Sequence, residues 1–148
     1  MQYTIAQLSP FTIAGIAVRT TNADGQAQKD IGMLWQTFMQ KQVLQSIPNR
    51  VSDEVYSLYT GYEGDFKAPY TTIIGCKVSA TDGLPDGLIY KAVPANNYQV
   101  YKPVGELPGS IMQTWVYIWQ SNIHRAYTAD FDLYKTDGSV ETYLSVIE

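Results

Sequence analysis

The spacing of apolar residues changes repeatedly along this chain, and each change predicts an element. Phe11 to Thr20 is rich in Ile, Val and Thr and predicts a strand. Thr21 to Gln28, with Asn22, Asp24 and Gly25, predicts a loop. Ile31, Leu34, Trp35 and Phe38 then fall at i, i+3, i+4 and i+7, one face of a helix. Asp30 is placed to cap that helix by accepting from free N–H groups of its first turn. Leu44 and Ile47 continue the face less regularly, and Pro48 ends it, because the residue before a proline avoids helical angles. Val55 to Tyr62 and Tyr70 to Ser79 predict strands, and Gly61 to Pro69 between them is too long for a tight hairpin.

A second series follows. Leu88 to Lys102 predicts extended chain interrupted at Pro94-Ala95-Asn96-Asn97, where the missing N–H of Pro94 implies a bend, a bulge or an edge. Gly105 to Gly109 predicts a turn, and Ser110 is placed to cap a helix running to about Asn122. Phe131, Leu133 and Val140 to Ile147 predict the last two strands, joined at the hairpin signal Asp137-Gly138.

The two series resemble each other. Ile31 to Gln40 lies 80 positions before Ile111 to Gln120, with Ile, Trp and Gln in register. Tyr56-Ser57-Leu58-Tyr59 lies 75 positions before Phe131-Asp132-Leu133-Tyr134. Both halves therefore read strand, helix, strand, strand. The predicted fold class is α+β, an antiparallel sheet carrying two helices about a pseudo-twofold axis. We expect a single domain over 1–148, with halves at about 3–79 and 87–148 and a join at 80–86 that carries the turn signals Asp82-Gly83 and Pro85-Asp86-Gly87. The seam between halves is where a ligand pocket is expected.

Composition narrows the function. The chain of 148 residues is 45% apolar and 16% charged, enough for a real core. A net charge of −4 argues against a nucleic-acid surface, which needs clustered Lys and Arg. No stretch approaches the roughly 20 apolar residues of a membrane span, and no basic-then-apolar leader opens the chain, so a cytoplasmic location is expected. Cys76 is the one cysteine, set in a strand pattern, and His124 is the one histidine. No zinc-type cluster and no cofactor are implied. Twelve Tyr and three Trp exceed what a small core requires, and both ring types suit walls that meet ligands as well as cores.

The most informative phrase is Arg125 to Tyr134, which sets Asp132 in the middle of an aromatic strand close behind a helix carrying Trp115 and Trp119. A carboxylate among rings is what a buried aromatic cation needs: the rings offer negative faces and the acid balances charge. Alternation places Phe131 and Leu133 toward the core under a helix and sends Asp132 and Tyr134 to the opposite face. If that face lines the cleft, Asp132 is a ligand-binding acid; if it meets water, it is an ordinary surface acid. Trp35 and Trp115 occupy matching helix positions, as core anchors or ligand contacts. Tyr56, Tyr59, Tyr90, Tyr127 and Tyr134 are candidate walls. Arg125 is a candidate partner for Asp130 or Asp132, and pairing with Asp132 would undercut cation binding.

Four segments in order, Glu54 to Tyr62, Tyr70 to Gly75, Trp115 to Gln120 and Arg125 to Tyr134, resemble the GyrI-like effector-binding superfamily, in particular its integron-associated, Cass2-like branch. The resemblance spans nearly the whole chain. It implies a duplicated strand-helix-strand-strand fold and a pocket between the halves for amphipathic, often cationic, small molecules. Many such domains follow a DNA-reading segment in transcription regulators; the expectation here is a free-standing member without one. The resemblance also implies Glu where this chain has Asp132, so the acid here reaches one methylene less far. The expected function is binding of cationic, amphipathic aromatic compounds, for sensing or sequestration, without direct contact to nucleic acid or membrane. A protein partner or a homodimer is left open. The alternatives are a hydrolase of small electrophiles, using Asp132 and a tyrosine, and a protein-inhibitor module.

Overall fold

The computed structural model describes residues 2–103, 105–106 and 109–147. The first half runs β1 (Thr4–Leu8), β2 (Phe11–Thr20), α1 (Gln26–Gln40), α2 (Val43–Ser46), β3 (Val55–Thr60) and β4 (Tyr70–Val78). The second runs β5 (Ile89–Val93), β6 (Asn96–Tyr101), α3 (Gly109–Trp119), β7 (Ala129–Tyr134) and β8 (Val140–Val146). All described strand pairs are antiparallel, in one sheet of order β1-β6-β8-β7-β3-β4-β2-β5. This is the α+β class expected.

The order reads the same from both ends when halves are exchanged, so a pseudo-twofold axis runs between β3 and β7. Each half contributes its first strand to the other half's edge: β1 pairs β6, and β5 pairs β2. The sequence pattern did not predict β1, whose residues are mostly exposed.

That exchange forces curvature. Leu8 and Phe11 are separated only by Ser9 and Pro10, yet β1 and β2 stand six places apart in the sheet. Six spacings of about 4.8 Å make about 29 Å in a flat sheet. Three consecutive Cα steps reach at most about 11 Å. The link Pro94-Ala95 between β5 and β6 imposes the same demand, and Pro94 stands there, beyond the ladder, after an edge strand. The sheet therefore rolls, and its inner face closes around Ile13, Leu58, Tyr98 and Phe131, a cluster that includes no helical residue. Gly15 and Gly75 are cross-strand partners in the β2–β4 pair. A Cβ at either would run into the opposite backbone, at Ile74 O or Ala14 O, so the two strands meet more closely than side chains permit.

The outer face carries the helices. Leu34, Trp35 and Phe38 of α1 pack with Ala14, Ile74 and Cys76; Ile111, Trp115 and Ile118 of α3 pack with Tyr101, Val140 and Leu144. This reverses the expected placement of β7. Phe131 and Leu133 face the rolled interior, while Asp130, Asp132 and Tyr134 point toward the helices. The error came from supposing that only the helix face is buried; rolling buries both.

Three boundaries also differ. Helix α1 begins at Gln26 behind Gly25, whose φ is 71°, because Gln26 to Gln28 are good helix formers. Asp30 is thus inside the helix, accepting from Thr20 Oγ1 at 2.9 Å and Gln26 Nε2 at 2.8 Å. The helical face breaks at Gln42, with φ of 50°, before α2 and Pro48. Helix α3 ends at Trp119, and Ser110 is within it, buried, not its cap. The turn expected over 105–109 includes 107 and 108, which lie outside the described residues. No described helix is long and apolar enough to cross a membrane.

Candidate functional site

The central pair β3–β7 aligns Ser57 with Asp132, and Asp132 is the position 75 residues after Ser57. The pseudo-twofold axis therefore passes through this pair. Helices α1 and α3 flank it, leaving a cavity of about 590 Å³. Repeat-related pairs wall it: Tyr59 meets Trp115 edge-on at 5.5 Å, and Tyr134 meets Trp35 edge-on at 4.9 Å. Asp132 is the floor, 1% exposed.

The carboxylate of Asp132 accepts from Tyr59 OH at 2.7 Å, from Thr142 Oγ1 at 2.6 Å and from Trp115 Nε1 at 3.2 Å to each oxygen. Ser57 Oγ donates to the Tyr59 hydroxyl at 3.1 Å, extending the chain across the axis. All these donors are neutral. Burial raises the pKa of Asp132 above its ordinary value; the hydrogen bonds from Thr142, Tyr59 and Trp115 oppose that rise, and nearby Asp130 adds to it. Burial, with Asp132 alongside, holds the Tyr59 phenol well above its ordinary pKa, so it stays a donor.

Arg125 does not neutralise Asp132. Its Nη2 pairs with Asp130 at 2.9 Å, with side chains 5% and 0% exposed. Asp130 also accepts from Ser145 N and Oγ, each at 2.7 Å, and from Tyr62 OH. The guanidinium lies 4.2 Å from the Tyr127 ring centroid, 5.8 Å from Trp115 and 5.9 Å from Tyr62, and its Nε and Nη1 have no hydrogen-bond partner among the described residues. The buried cluster thus holds two carboxylates and one guanidinium.

Of the residues singled out from sequence, Asp132, Trp35, Tyr59, Trp115, Trp119, Tyr134 and the Asp130-paired Arg125 line the cavity. Three do not. Tyr56 belongs to the rolled interior, because it alternates with Ser57 and so faces away from the helices. Tyr90 is 57% exposed on edge strand β5. Tyr127, with φ of 54°, spends its ring on Arg125. Cys76 is buried under α1, its thiol pushed up to about 11 chiefly by burial, and His124 lines a different cleft beside β1, β6 and β8. Sequence reasoning missed Thr142, Tyr70 and Phe66. Thr142 was one residue out of reach: a two-residue Asp137-Gly138 turn would pair Asp132 with Tyr143, but Lys135 and Ser139 close a three-residue loop and bring Thr142 opposite Asp132. Phe66 sits in an irregular loop, where no periodicity points.

The model of the integron-associated effector binding protein family matches residues 4–146. The putative transcriptional regulator YobU of Bacillus subtilis is 26% identical over 141 residues, covering 92% of this chain and 88% of that protein. Among solved structures, the integron cassette protein VCH_CASS2 from the mobile metagenome of Vibrio cholerae is 30% identical with a TM-score of 0.77, covering 98% of this chain and 95% of that one. The SAV2435 protein, solved bound to tetraphenylphosphonium, shares the fold at 20% identity and a TM-score of 0.79, covering 99% and 94%.

Proposed function

The chain belongs to the integron-associated effector-binding family, and from that premise we propose that residues 1–148 act as one binding unit that captures monovalent, amphipathic aromatic cations between α1 and α3. One observation carries this reading. Asp132 is buried among rings with only neutral hydrogen-bond partners, while the neighbouring guanidinium is committed to Asp130. A single positive charge in the cavity restores balance, and it does so where water screens little. The aromatic walls supply apolar contact at about 25 cal/mol per Å² and cation–π attraction of about 0.5–2 kcal/mol per favourable ring. The bound tetraphenylphosphonium of SAV2435 supports the ligand class, and the regulator name of YobU supports a role in sensing over plain sequestration.

All three tryptophans line the cavity, so intrinsic fluorescence reports its occupancy. Tetraphenylphosphonium should quench it saturably, and tetraphenylborate, of nearly the same shape but opposite charge, should not. Equal binding of the two ions would reject the charge role. The hydrolase alternative rests on the Tyr59–Asp132 contact. Both carboxylate oxygens are already engaged and almost unexposed, which favours binding over activation of water. Turnover of activated esters or epoxides would reverse that preference.

A further inference from the structure

Phe66, in the loop between β3 and β4, and Trp119, the last residue of α3, both line the cavity and lie nearly parallel, with centroids 5.9 Å apart and planes at 11°. Of the other pairs walling the cavity, Tyr59–Trp115, Tyr134–Trp35 and Tyr59–Tyr70 are edge-on and Tyr62–Tyr70 is tilted at 36°. Edge-on walls grip rounded, multi-ring shapes, whereas parallel faces match a flat one. Both rings are half-buried while Asp132 is 1% exposed, so the parallel pair sits toward the mouth and the acid at the floor.

The two jaws come from different halves and are held differently. The Phe66 carbonyl accepts from Asn22 Nδ2 at 2.8 Å, and Asn22 Oδ1 accepts from Tyr70 OH at 2.6 Å, which ties the loop to the first half. Lys67 Nζ lies 5.9 Å from the Phe66 centroid. Trp119 rides on α3. A ring inserted between them needs about 7 Å, twice the carbon contact distance of roughly 3.5 Å. The centroids are 5.9 Å apart, so the two rings must part to admit one, a movement that falls to the loop carrying Phe66.

We infer that Phe66 and Trp119 form a stacking clamp that selects, among cations reaching Asp132, those carrying a flat fused-ring system. This rests on the cation-binding reading above and names the ligand shape that the site prefers. Phe66 is then a specificity-determining residue, since Trp119 alone offers one face.

The test compares two permanent cations, flat N-methylacridinium and tetrahedral tetraphenylphosphonium, on the full chain. Wild type, Phe66→Leu and Asp132→Asn are titrated by fluorescence quenching. Leucine keeps apolar cover over the mouth but removes the ring face. Phe66→Leu should lose about tenfold or more for N-methylacridinium, in line with single-ring stacking, and less than about threefold for tetraphenylphosphonium. Equal losses for both, or none for the flat dye, would overturn the clamp. Asp132→Asn should weaken both cations; if it does while Phe66→Leu leaves the flat dye untouched, the clamp fails and cation capture stands. Failure of wild type to bind either cation would remove both.

Discussion

Replacing Asp132 by Asn isolates the charge on which cation capture depends. The substitution keeps shape and one acceptor oxygen. Trp115 Nε1 can still donate to that oxygen, and the hydroxyls of Tyr59 and Thr142 can rotate to accept from the new amide. A ligand's positive centre cannot touch the carboxylate, because Tyr59 and Trp115 cover it. A cation over a ring face sits within about 6 Å of the centroid. At about 6 Å and an effective dielectric of about 20, the lost attraction is about 2.8 kcal/mol, or about a hundredfold in Kd. Tryptophan quenching should show tetraphenylphosphonium weakened about 30- to 100-fold and neutral triphenylphosphine oxide changed less than about threefold. Equal losses for both would mean that the substitution damaged cavity shape, and no loss for the cation would mean that the charge is not felt there.

The same variant makes an opposite forecast for stability. Burial is the largest influence on Asp132 and lifts its pKa above the ordinary 3.8; hydrogen bonds from Thr142, Tyr59 and Trp115 oppose the lift, and Asp130 adds to it. The folded chain therefore keeps this proton to higher pH than the unfolded chain. The contribution of the group to stability is full below 3.8 and is lost as pH rises through the folded value. Asn suffers no such loss. Without ligand, Asp132→Asn should resist urea better than wild type at pH 7, and the gap should close as the pH falls toward 3.8. Cations should bind wild type more tightly as pH rises through the folded pKa, and binding near that pH should release a proton, visible as buffer-dependent heat in calorimetry. A wild-type affinity flat across that range would contradict the assignment.

Other positions give simpler expectations. Arg125→Ala leaves Asp130 buried without a cation and should cost about 3–5 kcal/mol in urea unfolding; a loss below about 1 kcal/mol would mean that Ser145 and Tyr62 satisfy Asp130 unaided. Gly75→Ala drives a Cβ into the backbone at Ala14 and should cost roughly 3 kcal/mol or more, read by thermal melting. Tyr90→Ala, on an exposed edge strand and outside the cavity lining, should change cation Kd by no more than about twofold.

Much of the architecture was legible because duplication doubles every weak signal. The helix face Ile31, Leu34, Trp35, Phe38 and its counterpart around Trp115 placed both tryptophans correctly, and strand alternation placed Asp132 and Tyr134 on one face together. What alternation lacked was the meaning of the faces. In a sheet covered on one side, burial identifies the helix side; in a rolled sheet Phe131 and Ile74 are equally hidden on opposite faces. The cause of the roll is topological: β1 crosses to the other half through two residues, and with Ile5 exposed and only Ala6 and Leu8 packed inward its alternation is too short to mark a strand. The same blindness put Tyr56 on the wall, since one residue of register decides which way a strand side chain points. Tyr127 was misplaced for another reason. A left-handed residue in a loop carries its ring off any periodic face, and only the folded chain brings it to Arg125.

The position of Asp132 on the symmetry axis explains why the cavity floor carries one carboxylate rather than two. Positions away from the axis are copied to separate places: Tyr59 and Tyr134 end on opposite walls, as do Trp35 and Trp115. Helix positions repeat at 80 residues and strand positions at 75, and the first half's excess lies where α2 is inserted. A position on the axis instead meets its own copy. Had both copies been acidic, two carboxylates would stand as cross-strand neighbours, about 4.5–5.5 Å apart at Cβ. Burial would force them to share a proton, and the pair would act as one charge at the cost of strong repulsion. Serine at 57 removes that conflict and adds a donor to the Tyr59 hydroxyl, which in turn donates to Asp132. The repeat thus builds a nearly symmetric aromatic box, and a single asymmetric substitution on its axis sets the charge of the ligand that the box is suited to hold.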